Sequence, residues 1–178
     1  MPRGTTDPER PMRITRAAMQ VVAEHGVEGL THRAVAAVAG VPLGSTTYHF
    51  ATLDDLLAAA IEEAKKATAI SLADWEKSIG PKVSLLVAVT DFVMDTLTDH
   101  WRTMIVEHEL YLASLRRPQL RALSQEWDEL FPTVLARHTD SVRAHTVALL
   151  VDGMFLRAYI HGMPSRDEVE AELRLLLP

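Results

Sequence analysis

The chain has 178 residues, with 18 Lys and Arg against 24 Asp and Glu, eight His and no Cys. An apolar fraction of 48% with 24% charged residues excludes a disordered or fibrous chain, and the length suits one compact unit or two small ones sharing a core. The lack of Cys removes disulfides, thiolate metal sites and a thiol nucleophile together, while a net charge of −6 weighs against nucleic acid unless that charge is unevenly spread.

Almost every segment reads as helix. Strands would need alternating β-branched runs closed by Asn-Gly or Asp-Gly turns, and the only Asp-Gly, Asp152-Gly153, lies inside a long apolar stretch. Residues 1–11, with three Pro, form an arm that lacks the apolar run of a secretory signal. No segment reaches the roughly 18 uninterrupted apolar residues that cross a bilayer, so a soluble, cytoplasmic protein without a membrane partner is expected.

The first helix is predicted from Pro11 to His25, where Ile14, Ala17, Ala18, Val21 and Val22 recur at three- and four-residue spacing and Gly26 stops it. Thr31 has the position of an N-cap for a short helix from His32 to Ala39, with Val35 and Val38 inward. After Gly40-Val41-Pro42, a third short helix covers about Leu43 to Phe50, and Thr52-Leu53-Asp54-Asp55 has the form of a capping box opening a helix towards Ala73. Longer helices follow: Lys82–Asp99, Trp101–Leu115, Gln119–His138 with a kink or break at Pro132, and one capped by Asp140 that reaches His161. Ser165-Arg166-Asp167-Glu168 is a second capping box, opening the last helix. The fold class is all-α: about nine helices, three short at the N-terminus and a larger helical domain after them.

Two short helices around a Gly corner, locked by Ala36, Ala39 and Val41 onto a third, make a helix-turn-helix. Its second helix can enter a major groove, and Ser45, Thr46, Thr47, Tyr48 and His49 all carry hydrogen-bonding groups. On geometry alone, a packed αα-corner fits these residues equally well.

Gly26-Val27-Glu28-Gly29-Leu30-Thr31, then Val35 to Val41, then Gly44-Ser45-Thr46-Thr47-Tyr48-His49-Phe50 and Leu56-Leu57 resemble the DNA-binding domain of TetR-family transcriptional regulators. The resemblance covers roughly residues 10–60; the rest matches in plan only. It implies a palindrome-binding homodimer, a repressor that releases its operator when a small-molecule effector occupies the larger domain. By the same resemblance, residues 1–52 are the arm and DNA-binding domain, and residues 53–178 the effector-binding and dimerisation domain. Thr31 and Arg33 would meet phosphate, Ser45, Thr46 and Thr47 base edges, and Tyr48 and His49 phosphates. Phe50 would pack beneath the helix. Leu43 and Leu53 depart from the family's frequent Lys, and Thr47 stands where Tyr is commoner. Arg3, Arg10, Arg13 and Arg16 are candidates to compensate.

Between Ser141 and Ile160 the only formal charges are Arg143, Asp152 and Arg157, and apolar residues point nearly all round. Such a helix is buried on more than one side, and a partner subunit would supply one of them. The family's last two helices form the dimer bundle, which puts Val147, Leu150, Val151, Met154, Ala158, Leu173 and Leu176 at the expected interface. Phe92, Trp101, Trp127, Phe131 and Phe155, with Glu107, His108 and Tyr111, are candidates for an effector cavity, although aromatic residues of this kind equally build a core.

No enzyme is indicated. No His has an acid three residues before it, as di-iron bundles need, and His108-Glu109 lacks the later His of His-Glu-x-x-His. Phosphate loops and nucleophile elbows are missing too, so neither metal nor cofactor is expected. A helical scaffold without DNA binding is the alternative, and a small bundle enzyme a more distant one. Charge divides unevenly: residues 1–50 hold five Arg against four acids, and residues 51–178 hold 13 bases against 20 acids. The acidity therefore belongs to the body, and a head near neutral neutralises few phosphates.

Overall fold

The computed structural model describes residues 7–80 and 83–178, which form ten α-helices and two short 3₁₀ turns with no strand among the described residues. The chain divides into two compact units: residues 1–65 with 105–124, and residues 66–104 with 125–178.

In the first unit, α1 (Arg10–His25) buries Ile14, Ala17, Ala18, Val21 and Val22, the face its spacing predicts. Each large aliphatic on that face contributes about 1.5–3 kcal/mol by leaving water. Gly26 ends it at a φ of 69°, where a side chain would be strained. α2 (His32–Ala39) packs on α1, and α3 (Leu43–His49) packs on both. Val38 is a correction: Val35 is fully buried, but Val38 is exposed, because an eight-residue helix on α1 buries only the Val35, Ala36 and Ala39 face. α4 (Leu53–Ser78) opens on the predicted capping box, Asp55 N–H donating to Thr52 Oγ1 at 3.1 Å and Thr52 N–H to Asp55 Oδ2 at 2.8 Å.

α4 crosses from the first unit into the second, as do α6 (Trp101–Ser114) and α7 (Arg121–Asp128). It runs past the predicted Ala73 because Trp75 anchors its last turns, donating from Nε1 to Ala88 O on α5 (Leu85–Thr98) at 3.1 Å. α5 starts later than predicted, where Ser84 Oγ accepts from Val87 N–H; Lys82 lies outside the described residues. α8 (Leu130–Leu135) holds Pro132 in its first turn, where a missing N–H costs nothing. The predicted break thus falls at Glu129 and separates α8 from α7. α9 (Ser141–His161), capped by Asp140, packs on α8 and α5, and α10 (Arg166–Leu173) packs on α5 and α9 behind the capping box of Ser165 and Glu168. Leu97, Leu135, Val147, Leu173 and Leu177 are fully buried in this unit's core. No helix among the described residues is long and apolar enough to cross a membrane.

Candidate nucleic-acid interface

The corner between α2 and α3 turns on Gly40, at φ 63° and ψ 37°, whose N–H closes the α2 ladder onto Ala36 O and Ala37 O. A Cβ there would meet nothing within 4 Å, so the left-handed backbone, and not crowding, selects glycine. Thr31 caps α2 as predicted, its Oγ1 accepting from Ala34 N–H at 3.1 Å. The hydroxyl proton stays available to donate outward.

α3 presents Tyr48 (84% exposed) and Thr47 to solvent, with His49 half-buried and its ring 5.0 Å from that of Tyr48, edge to face. Ser45 is half-buried. Thr46 is a correction. It is 0% exposed, and its hydroxyl donates to Leu43 O at 2.8 Å, so it fixes α3 from beneath and reaches no base edge. Phe50 is half-buried. Arg16 and Arg33 are exposed and have no ion-pair partner among the described residues. Arg13 instead lies 2.9 Å from Asp7, and Arg10 lies 3.8 Å from the same carboxylate. Arg3 lies outside the described residues.

A residue missed in the sequence supports this head. Glu109 of α6 reaches the α1–α2 connection, where its carboxylate accepts from Val27 N–H at 3.2 Å. Nothing in the periodicity of α6 marks Glu109, because its partner is a backbone group 82 residues away.

The expected dimer residues need correcting too. Val147, Val151, Met154, Ala158 and Leu173 are at most 7% exposed in the core of their own unit, and Leu150 and Leu176 pack against that core. α9 carries its other apolar stripe on Val142, Leu149, Leu156 and Ile160, which are 75%, 61%, 46% and 79% exposed. Both stripes have helical spacing, and which one faces the chain's own core is decided by α5 and α10. Asp152 lies on the exposed stripe between Leu149 and Leu156. It keeps an edge in solvent, yet the protein packed around its carboxyl, with the charge of Asp128 adding to it, pushes its pKa up to about 6.

The candidate effector residues are divided between the two units. Phe92 and Phe131 stack with ring centres 4.9 Å apart, Trp75 lies 5.2 and 5.6 Å from them, and Phe155 lies 6.4 Å from Phe92. These rings fill the second unit's core. Trp101 packs on Tyr159, and Trp127 is buried with Nε1 donating to Thr68 Oγ1 at 3.0 Å. Glu107, His108 and Tyr111 belong to the first unit, each with an interaction of its own.

A Gly-cornered helix pair that leaves Thr47 and Tyr48 outward on its second helix defines a helix-turn-helix DNA-binding protein. Residues 14–60 match the family model described as bacterial regulatory proteins, tetR family, and residues 83–178 match the tetracyclin repressor-like C-terminal domain. The chain belongs to the TetR family of transcriptional regulators. It is 26% identical to the HTH-type transcriptional regulator BetI of Stenotrophomonas maltophilia, over 91% of this chain and 87% of that protein. Among solved structures, it is 40% identical to the multidrug binding protein EbrR complexed with ethidium, with a TM-score of 0.86 over 97% of this chain and 100% of that one. A TetR-family member from Streptomyces coelicolor A3 is 39% identical, with a TM-score of 0.83 over 96% and 99% of the two chains.

Proposed function

We propose that the protein is a ligand-responsive repressor that binds a palindromic operator as a homodimer. In this reading, residues 1–52 read DNA and residues 53–178 hold the effector and the dimer surface. The carrying observation is the exposed apolar stripe of α9. Four large aliphatics on one helix face, from Val142 to Ile160, exceed what an isolated subunit leaves in water without a partner. A second copy using the same stripe closes a two-fold dimer, and two heads then meet two inverted half-sites.

On each half-site, Ser45 and Thr47 face base edges. Tyr48, His49, Arg33 and the Thr31 hydroxyl meet phosphates beside the free N–H groups that open α2. No catalytic step is assigned to this arrangement, and binding DNA places its work in the cytoplasm. The effector is an aromatic cation. EbrR has been crystallised with ethidium, with malachite green and with proflavin, and all three are positively charged aromatic dyes.

Replacing Leu149 and Leu156 together by Glu tests the assembly, since neither supports the chain's own core. Sedimentation is expected to return a folded monomer that no longer binds a two-half-site operator. A dimer that persists in that variant contradicts the reading.

A further inference from the structure

α3 is the helix offered to a major groove, and its outward face lacks the groups that usually read bases there. Guanine is read by Arg or Lys, and adenine by Asn or Gln, through paired hydrogen bonds to the base edge. None of these four residue types occurs from Ala34 to Ala64, a stretch that holds most of α2, all of α3 and the first turns of α4. Leu43 stands on the outer side of α3 instead, 45% exposed and not taken up by the head's own core.

The threonine hydroxyls of α3 are spent on the helix itself. Thr46 donates to Leu43 O at 2.8 Å, and Thr47 donates to Gly44 O at 3.3 Å. With its proton committed there, the exposed Thr47 offers a base a methyl group and no donor. Leu43 and Thr47 are four residues apart and so share one face of the helix. Gly44 lies beside them with nothing within 4 Å of where a Cβ would stand, so a base edge can come close to the backbone. The half-buried Ser45 hydroxyl is the polar group left next to this face.

The one methyl group in the major groove belongs to thymine. We propose that α3 reads thymine methyl groups, with Leu43 and Thr47 as the residues that contact them. The face is continuous with the helix-turn-helix that matches the family's DNA-binding domain. The inference rests on the operator-binding function proposed above and assigns its base specificity.

The test begins with operator duplexes selected from a random pool by the full chain. Thymidines are then replaced one at a time by deoxyuridine, which removes the methyl and keeps every hydrogen-bonding atom, and affinity is titrated by fluorescence anisotropy. The parent is compared with Leu43→Ala and with Thr47→Ser, which keeps the hydroxyl and deletes only the methyl. Both side chains are exposed, and thermal melts verify that both variants fold.

The parent is expected to lose about fourfold in affinity for each contacted methyl. That loss should vanish at one position in Leu43→Ala and at another in Thr47→Ser, because each variant lacks the methyl's partner. Deoxyuridine duplexes that the parent binds as tightly as thymidine ones overturn the methyl readout and leave DNA binding standing. Sensitivity to deoxyuridine that persists unchanged in both variants overturns the assignment to Leu43 and Thr47, since DNA deformability would then be what is read. A pool from which the parent enriches no duplex overturns the operator-binding function and this inference together.

Discussion

Thr46 and Tyr48 stand two residues apart on α3 and face opposite ways, one fully buried against Leu43 O and the other almost wholly in solvent. That opposition separates their roles. Tyr48→Ala should lower operator affinity about tenfold, the cost of a lost contact at the DNA, while leaving the melting temperature unchanged. Thr46→Ala should do the reverse, costing about 1 kcal/mol of stability in a denaturant titration with the sequence preference intact. Gly40→Ala is expected to cost about 1–2 kcal/mol through its left-handed backbone alone, since the space for a methyl group is there. The caps of Thr31, Thr52, Asp140 and Ser165 were all legible in the sequence, because a cap is made within four residues of itself. The inward side of α3 was not, because a seven-residue helix is too short for periodicity to set its phase.

α9 shows where element-scale reading stops. Its existence, its Asp140 cap and its Gly162 end follow from local chemistry. The sequence also shows that it is apolar on more than one side. It does not show which stripe meets α5 and α10, and Val147, Leu150, Val151, Met154 and Ala158 belong to the inner one.

The outer stripe carries its own signature in the seven-residue steps from Val142 to Leu149 to Leu156, with Asp152 among them. The raised pKa of Asp152 has a definite pH consequence. Its folded value of about 6 lies above the ordinary 3.8, so the folded chain holds that proton more tightly than the unfolded one. Stability from this site therefore rises as pH falls from about 6 towards 4. The capping carboxylates act in another window: hydrogen bonds from Thr52 and Ser165 lower the pKa of Asp55 and Glu168, and their stabilisation is lost only as pH falls through those lowered values. Melting curves at pH 7 and pH 5 should thus show a gain on acidification that Asp152→Asn abolishes; an equal gain in that variant contradicts the assignment.

For the whole molecule, the net charge of −6 proves a poor guide, because the head and the body carry charges of opposite sign. The head's exposed cations among the described residues include Arg16 and Arg33, while Arg10 and Arg13 are held by Asp7. Binding should therefore be only moderately salt-dependent, and Arg33→Ala should reduce the slope of log affinity against log salt by about one. In the proposed reading effector and operator are linked through a dimer: if ethidium weakens operator binding by some factor, operator DNA must weaken ethidium binding by the same factor. Equal ethidium affinity for the free and operator-bound dimer would contradict the coupling.

The family and the order of helices were legible in the sequence, and the residues that cap each turn were legible with them. The most direct test of the central claim is selection of duplexes bound by the purified chain from a random-sequence pool. Two inverted half-sites with centres about 34–36 Å apart, or a multiple of that, are predicted. A pool with no enriched sequence, or with a single unpaired half-site, would contradict the account.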